Sequence, residues 1–447
     1  MGAKSNSGAS GKTVTIVVMF FLFAMISFVT NLAAPVGTIW KGHYEWAGMI
    51  GNFMNFLAYL FMGIPAGNLL SRLGYKKTAL IALAVGALGM LCQYLSSVVG
   101  AGIDTFSVGG QPVELNYLIY LLGAFIGGFC VCMLNTVVNP MLNSLGGGGQ
   151  KGNQLLQMGN SCNSLAGTLT PFFVGMLVGQ VTASTSMADV RPLLWIAMGV
   201  FVLSLLVISF AKIPEPAAAA GKAVRYEHSP WSFRHTTLGV IGIFFYVGLE
   251  VGIPGVLIFY LSDPALNIPN GVAVASGIAA VYWLLMLVGR LTSSAISAFV
   301  SSRVQLIVTS VVAIVLVLLA IFISSDVRMS MPAYSVEDGF TMASVPMKAL
   351  FLVLCGLCTS VMWGSIFNLA VEGLGKYTAK ASGIFMMMVV GGGVMPLIQE
   401  SIGRTIGWMT SYWLVIAMLA YILFYALVGS KNVNKDIPVG LEDSDPV

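Results

Sequence analysis

Twelve long runs of mainly apolar residues occupy most of this 447-residue chain. A helix needs roughly 20 such residues to cross the hydrocarbon core of a bilayer. Apolar residues make up 57% of the sequence and charged residues 9%, whereas an average soluble domain carries about 25% charged residues. A soluble globular protein and a disordered chain are therefore excluded, and we expect an all-α integral membrane protein in a lipid bilayer. The predicted spans are 13–35, 47–70, 78–99, 114–140, 154–180, 191–211, 236–262, 272–296, 304–325, 344–371, 380–400 and 407–429.

One long polar connection divides these runs into two sets of six. A shift of 229 residues places Thr136 and Asn139 of the fourth run on Ser365 and Asn368 of the tenth. Parallel repeats of six spans are an internal symmetry of one class of transporters, so we predict two pseudo-symmetric six-helix domains around a central cavity. The predicted parts are a cytoplasmic tail at 1–12, an N-terminal domain at 13–211, a cytoplasmic linker at 212–235, a C-terminal domain at 236–429 and a cytoplasmic tail at 430–447.

The positive charges predict how the bundle is oriented. Connections on the side of the two termini hold 16 Lys and Arg residues, with Arg290 counted among them, and connections on the other side hold 5. Positive residues concentrate on the cytoplasmic side of membrane proteins. We therefore expect both termini to be cytoplasmic and the protein to be a multi-pass protein of the cell membrane, which in bacteria is the inner membrane.

Carboxamide side chains form stripes on the fourth and fifth runs. Three Asn residues, ending with Asn143, recur every four positions in the fourth run and so share one helix face. Amides in hydrocarbon need partners, which neighbouring helices often provide. Two adjacent stripes exceed what helix association requires, and amides offer the donors and acceptors that a polyhydroxylated ligand needs. The predicted sugar-binding residues of these two runs are Asn135, Asn139, Gln157, Asn160 and Asn163.

A carboxylate and two tryptophans lie inside runs of the C-terminal domain. Glu250 falls near the middle of the seventh run, where a charge costs at least ~2.5 kcal/mol unless it faces a cavity or a partner. It can carry a proton, bind a cation or accept hydrogen bonds from a sugar; the alternative is a protonated structural Glu. Trp283 and Trp363 lie away from the interfaces where Trp is usual, and their rings can stack on a sugar or pack against lipid. With Asn368, these residues are predicted to complete the sugar site.

A basic loop follows the second run. It reads Gly67-Asn-Leu-Leu-Ser-Arg-Leu-Gly-Tyr-Lys-Lys77 and resembles the G-x-L-x-D-R-x-G-R-[RK] loop of the major facilitator superfamily, with Ser71 in place of the usual Asp. Gly74 permits a tight turn. Arg72, Lys76 and Lys77 can interact with helix C-termini and close the cytoplasmic side, so we predict that these four residues form a gate. A plain anchor of positive charge is the alternative.

Five segments in the same order along the chain resemble the fucose–proton symporter family, also called the fucose/glucose/galactose permeases. This family belongs to the major facilitator superfamily, and the resemblance extends from the first run to the eleventh. Asn135–Pro140 is similar to the family's [EQ]-[TV]-A-A-N-P, and Gln157–Ser164 to its N-L-x-Q-x-x-N-S. Tyr246–Val251 is similar to Y-V-G-x-[EQ]-V, and Trp363–Leu369 to Y-P-x-x-F-S-L. Gly391–Pro396 is similar to G-G-G-x-x-x-P with one residue fewer.

Two departures from the family pattern concern ion coupling. The family's functional Asp in the first span falls on Asn31 here, and its proton-linked Glu in the fourth span falls on Asn135. An amide does not exchange a proton near neutral pH. Glu250 is therefore the predicted coupling residue, together with Asn31 at the family's position. If sodium is the coupled ion, we expect it at Glu250, Asn31 and Asn135.

The resemblance implies the major facilitator fold and import of a monosaccharide, of the hexose, deoxyhexose or amino-sugar type, by alternating access coupled to a proton or sodium ion. An uncoupled sugar facilitator, an exporter of a small metabolite or drug, and a sugar sensor are the alternatives. No catalytic motif or metal-ligand spacing occurs in the sequence, so we expect no enzyme activity, no cofactor and no structural metal. No basic stripe with aromatic residues indicates nucleic-acid binding, and we expect a monomer.

Overall fold

A computed structural model shows the chain as a bundle of long helices. The structure describes residues 6–44, 47, 50–178, 186–211, 213, 215, 226–269, 271–335 and 339–440. The α-helices of this part of the chain are α1 Asn6–His43, α2 Ile50–Ser96, α3 Leu115–Leu145, α4 Gly149–Val178, α5 Arg191–Phe210, α6 Arg234–Leu261, α7 Gly271–Ile296, α8 Ser302–Phe322, α9 Lys348–Ala370, α10 Thr378–Met387, α11 Gly391–Ile406 and α12 Tyr412–Phe424.

Helix α2 supplies two of the predicted spans. It contains 47 residues, and its backbone leaves the helical region at Gly74, where φ is 82° and ψ is 178°. Glycines of α3 touch both arms: a Cβ on Gly128 would lie 2.5 Å from the Cβ of Ala58, and a Cβ on Gly89 would lie 2.8 Å from the nitrogen of Gly127. The chain therefore turns back at Gly74. A loop was predicted between these two spans, but only this residue departs from helical geometry.

The described residues account for all twelve predicted spans. In the described ranges ten helices are long and apolar enough to cross a membrane, and one of them, the 47-residue Ile50–Ser96 with its turn at Gly74, is long enough for two crossings. The helix Gly149–Val178 corresponds to the fifth predicted span; it is long enough to cross, and the amides that make it polar are the ones predicted to bind sugar.

The eleventh span is broken near its middle. Its first part is α10, a 3₁₀ turn covers Met388–Val390, and α11 completes it. The glycines at the start of α11 lie against two other helices. A Cβ on Gly391 would lie 1.9 Å from the carbonyl oxygen of Phe244 in α6, and one on Gly392 would lie 2.8 Å from the Phe56 ring in α2. This glycine run therefore permits close packing of α11 on α6 within the C-terminal half and on α2 of the N-terminal half.

Two short antiparallel hairpins, which the all-α prediction did not include, join helices at one end of the bundle. Strands β1 Asp104–Val108 and β2 Gln111–Glu114 precede α3, and strands β3 Arg328–Ser335 and β4 Gly339–Pro346 precede α9. The tenth span was predicted to begin at 344, but β4 pairs Pro346 with Arg328. The helix therefore begins at Lys348.

The opposite end of the bundle is called the linker end here, because the described part of the connection between the halves, 226–233, lies there. Residues near the C-terminus pack on it. The nitrogen of Lys376 donates to the carbonyl oxygen of Val439 (3.0 Å), and the nitrogen of Arg234 donates to Asn434 Oδ1 (3.0 Å). Helices α1–α5 form the N-terminal half and α6–α12 the C-terminal half.

Candidate functional site

The amide stripe of α3 is buried in the interior of the bundle. Asn135, Asn139 and Asn143 are all nearly inaccessible. Asn135 Nδ2 donates to the hydroxyl of Tyr59 (3.0 Å), and Asn139 Nδ2 donates to the carbonyl oxygen of Asn135 (2.8 Å). Pro140 lies inside the same helix, and its missing N–H leaves the carbonyl oxygen of Thr136 without its usual helix partner. The helix thus presents an ordered polar face inside an apolar bundle.

Two residues of this stripe reach the C-terminal half. Trp363 Nε1 in α9 donates to Asn139 Oδ1 (3.1 Å). Nearer the linker end, Asn143 Nδ2 donates to Asn368 Oδ1 (2.6 Å), and Asn368 lies in the last turn of α9. The structure therefore brings the predicted residues of α3 and α9 into direct contact, at two depths.

Helix α4 contributes a second buried set. Gln157 Nε2 donates to the carbonyl oxygen of Val361 in α9 (3.0 Å), and a Cβ on Gly364 would lie 2.7 Å from Gln157 Nε2. The close approach of α4 and α9 therefore depends on the glycine at position 364. Asn160, one turn further along α4, is buried as well.

An ion pair lies at the depth of Asn160. Arg290 Nη2 in α7 donates to Glu250 Oε1 in α6 (2.9 Å), and the two side chains are 6% and 16% exposed. Arg290 also donates through Nη1 to the carbonyl oxygen of Asn160 (3.2 Å) and to the hydroxyl of Ser164. A buried charge is tolerated when an opposite charge and hydrogen bonds compensate it. Arg290 thus connects the carboxylate of the C-terminal half to the N-terminal half.

Arg290 was missed as a site residue by the sequence analysis. It was counted as a positive charge of the connection after the eighth run, but it is 5% exposed and paired inside the bundle. The available signal was its position inside the predicted span 272–296, since an ionisable residue within a span usually has a function and a partner.

Three residues of this site keep a buried polar atom without a partner among the described residues. These atoms are Gln157 Oε1, Asn160 Nδ2 and Arg290 Nε. Each such atom costs about 1–3 kcal/mol when left unpaired. The Trp363 ring lies nearby, edge to face with Tyr246 at 6.1 Å between centroids. One acceptor, two donors and an aromatic face are a combination that the hydroxyls and C–H face of a sugar can satisfy.

Three predicted residues do not join this cluster. Trp283 is 40% exposed and shares its exposed stripe of α7 with Leu284 and Val288, so it faces outward and its predicted contact with a sugar is not seen. Asn163 donates to the carbonyl oxygen of Phe23 (3.4 Å) within the N-terminal half. The side chain of Asn31 lies outside the described residues, so the predicted role of this residue in coupling has no structural counterpart here.

The basic loop is organised by a carboxylate from the linker. The nitrogen of Tyr75 donates to Glu215 Oε2 (2.7 Å) and that of Lys76 to Glu215 Oε1 (2.9 Å). A carboxylate is favourable at such a helix start because the free N–H groups point toward it. Lys76 Nζ donates to the carbonyl oxygen of Ser209 at the end of α5 (2.7 Å). All these contacts lie within the N-terminal half and its adjoining linker.

The other two basic side chains of the loop, Arg72 and Lys77, are exposed. Tyr226 of the linker lies between the loop and the C-terminal half: Lys380 Nζ is 3.5 Å from the centroid of its ring. Burial raises the pKa of Tyr226, and a hydrogen bond with Ser71 opposes part of that rise. The position at which the superfamily loop has an Asp thus contacts an aromatic hydroxyl.

A helical bundle of two six-span halves with a polar, partly unpaired centre is the arrangement of a membrane carrier. The model of the Major Facilitator Superfamily matches residues 16–395, and the chain belongs to that superfamily. It is similar to the glucose/galactose transporter of Brucella abortus (strain 9-941), with 30% identity over 442 residues and 96% of both chains covered. It is also similar to the L-fucose-proton symporter of Escherichia coli (strain K12), with 22% identity over 459 residues and 93% of both chains covered.

Solved structures support the same fold. A crystal structure of the E. coli fucose:proton symporter matches with a TM-score of 0.73 and 19% identity, covering 94% of this chain and 100% of the other. A second structure of that protein, described as outward in conformation, gives a TM-score of 0.70. The predicted fold and the predicted membership of a transporter family are confirmed.

Proposed function

We propose that this protein imports a neutral monosaccharide by alternating access, coupled to a proton. The observation that carries the proposal is the cluster of unpaired amide and guanidinium atoms beside Trp363, between the halves. The charges of Glu250 and Arg290 compensate each other, so the cavity offers hydrogen bonds without a net charge. Such a site favours a hexose, a deoxyhexose or an N-acylated amino sugar over a charged one. The names of the similar proteins, a glucose/galactose transporter and a fucose-proton symporter, support this class.

The Glu250–Arg290 pair is the proposed coupling site. Because both side chains are buried and hydrogen-bonded, protonation of Glu250 would break a charge-assisted bond and leave Arg290 bound to the N-terminal half through Asn160. Uptake of one proton would then release Arg290 from the C-terminal half's carboxylate while its hydrogen bond to the N-terminal half remains. Two contacts argue against sodium: Arg290 already neutralises Glu250, and Asn135 Oδ1, the atom that would bind the ion, accepts a hydrogen bond from Asn139 Nδ2 (3.3 Å).

The remaining parts of the proposal concern the domain boundaries, the orientation in the membrane and the oligomeric state. We propose the division into domains at 13–211 and 236–429 with the linker at 212–235; the end of α5 at Phe210 and the start of α6 at Arg234 support it. The excess of Lys and Arg at the linker end supports a cytoplasmic location of both termini and of that end. We propose a monomer in the cell membrane, since each half-bundle and the site between them come from one chain.

Counterflow of labelled sugars into liposomes tests the substrate class. Purified protein is reconstituted, loaded with one unlabelled monosaccharide at a time, and exposed to the labelled sugar without an ion gradient. Counterflow needs binding and alternating access but not coupling. Exchange of at least one neutral sugar is expected, with charged sugars inactive. If folded protein exchanges no monosaccharide, the sugar proposal is wrong, and export of another metabolite becomes the leading hypothesis.

A further inference from the structure

Two chains of hydrogen bonds cross between the halves nearer the linker end than the site. In the first, Asn143 Nδ2 donates to Asn368 Oδ1 (2.6 Å), and Asn368 Nδ2 donates to the hydroxyl of Ser302 at the start of α8 (2.9 Å). Asn143, Asn368 and Ser302 are all buried. Asn368 therefore has both its oxygen and its nitrogen engaged by protein, unlike Gln157 and Asn160.

The second chain lies beside the first. Asn153 Nδ2 at the start of α4 donates to the hydroxyl of Ser297, just after α7 (3.0 Å). Gln305 Nε2 of α8 donates to the same hydroxyl (3.0 Å), and Ser293 donates to Gln305 Oε1 (2.8 Å). Ser294, on the same turn of α7 as Ser293, donates across to the carbonyl oxygen of Gln154 (3.3 Å). Residues at the start of α4 are thus tied to the ends of two helices of the other half.

No ion pair crosses between the halves among the described residues. The two ion pairs of that part of the chain are Glu250–Arg290 and Glu400–Arg404, and each joins residues of the C-terminal half. The ammonium of Lys76, in the loop predicted to be the gate, binds the end of α5 in its own half. Within the part of the chain that the structure describes, the contacts that join the halves at the linker end therefore come from uncharged groups and from the Tyr226–Lys380 contact.

We propose that these two chains form an uncharged gate, here called the amide gate and consisting of Asn143, Asn153, Ser297, Ser302, Gln305 and Asn368. The inference rests on the proposed transport function and reassigns Asn368 from sugar binding to gating. Opening toward the linker end separates α3 and α4 from α7, α8 and α9, so every cross-half bond of the gate must break. Each neutral bond contributes about 1 kcal/mol net, so the gate can open thermally without any change of charge.

A reporter thiol tests this proposal in the full-length chain. Ser294→Cys places it on α7 at the interface, where Ser294 is buried. The partly exposed Cys92 and Cys162 are replaced by Ser, and the other cysteines are buried. The labelling rate of Cys at 294 by a polar maleimide, measured in detergent without sugar, then reports how often the linker end opens.

Loss of gate residues should raise the labelling rate. Asn368→Ala removes the cross-half bond with Asn143 and should accelerate labelling about fivefold, since one such bond contributes about 1 kcal/mol. Asn153→Ala removes the cross-half bond with Ser297 and should have an effect of similar size, which keeps the test valid if the first variant fails to fold. Ser310→Ala is the matched control, since Ser310 is buried in α8 with no partner for its hydroxyl among the described residues, and its rate should be unchanged.

The dependence of the labelling rate on salt concentration distinguishes an uncharged gate from one held by ion pairs. Between about 0.01 M and about 1 M salt the Debye length falls from roughly 30 Å to roughly 3 Å. Over this range the labelling rate of the reporter protein with an intact gate should change less than about twofold. A strong acceleration by salt, or an unchanged rate in both gate variants, would overturn the proposal. Because labelling needs no sugar, failure of every sugar in counterflow leaves this test standing. If Asn368→Ala raises the half-saturation concentration for sugar in counterflow but leaves the labelling rate unchanged, Asn368 belongs to the sugar site and not to the gate.

Discussion

The halves of this protein meet in two polar layers that use the same side-chain types differently. The central layer, with Gln157, Asn160, Trp363 and the Glu250–Arg290 pair, contains buried atoms without partners and two opposite charges. The amide gate contains no charge, and Asn368 is hydrogen-bonded through both its amide atoms, although Asn153 Oδ1 has no partner among the described residues. Unpaired atoms beside an ion pair suit a ligand that completes them, whereas uncharged bonds from one half to the other suit closure. The difference therefore separates binding from gating within one continuous interface.

Among substitutions that test this difference, the largest effect is expected from a change of Glu250, the acidic residue of the central layer. Glu250→Gln removes the titrating group but keeps a side chain that can accept a hydrogen bond from Arg290. If proton exchange at Glu250 couples transport, gradient-driven accumulation of sugar should fall to the level of simple equilibration. Counterflow, which needs no coupling, should persist in part. Both are measured in the same liposomes, with and without an imposed pH gradient.

A second ion pair in the protein supplies the control for that variant. Glu400 pairs with Arg404 one turn away on α11, at 2.5 Å, and the Arg404 side chain is 67% exposed. Exposed pairs of this kind contribute little, about 0.2–1 kcal/mol. Glu400→Gln should therefore leave accumulation at the parental level. Full accumulation in Glu250→Gln would show that Glu250 is not the coupling residue, whatever its role in the fold.

The next largest effect is expected for the aromatic member of the central layer. Trp363→Phe keeps a ring but removes the Nε1 donor that holds Asn139. Loss of one neutral hydrogen bond of about 1 kcal/mol should raise the half-saturation concentration for sugar in counterflow about fivefold. Trp283→Phe makes the same change on the outward face of α7 and should leave that concentration unchanged. Equal effects of the two substitutions would contradict the placement of the sugar beside Trp363.

The two tryptophans also show where sequence reasoning succeeds and fails. The number, length and order of the spans follow from apolar run lengths, because a bilayer fixes how many residues cross it. Both Trp283 and Trp363 lie inside helices, in α7 and α9. Position along a run did not predict rotation, because the residues beside Trp283 are apolar or aromatic and the buried polar residues described in α7 begin only at Arg290, about two turns further along. The amides of α3 did mark an inner face, and Asn139 lies inside as expected.

The features that the sequence did not predict are contacts between segments that lie far apart along the chain. Arg290 is 40 residues from Glu250, and a cation near the end of an apolar run is equally typical of an anchor at the membrane surface. Only the packing of α6 against α7 shows that the two charges meet. Similarly, the amides of Asn143 and Asn368 were each recognised, but their bond to each other depends on the docking of the two halves.

The smallest expected effect concerns the linker end outside the amide gate, where Glu215 acts within one half. At Gly74 φ is 82°, and a Cβ would lie 2.5 Å from Glu215 Oε2. Gly74→Ala therefore strains the backbone, which costs roughly 1–3 kcal/mol, and displaces the carboxylate from the start of the second arm of α2. We expect a lower melting temperature in detergent. Gly199→Ala, at a helical site with open space, should not lower it. The same variant also tests whether this loop belongs to the gate. No bond of the amide gate involves the loop, so the Cys at position 294 should be labelled at the same rate in folded Gly74→Ala protein as in the protein without that substitution. Faster labelling would mean that the loop and the gate open together.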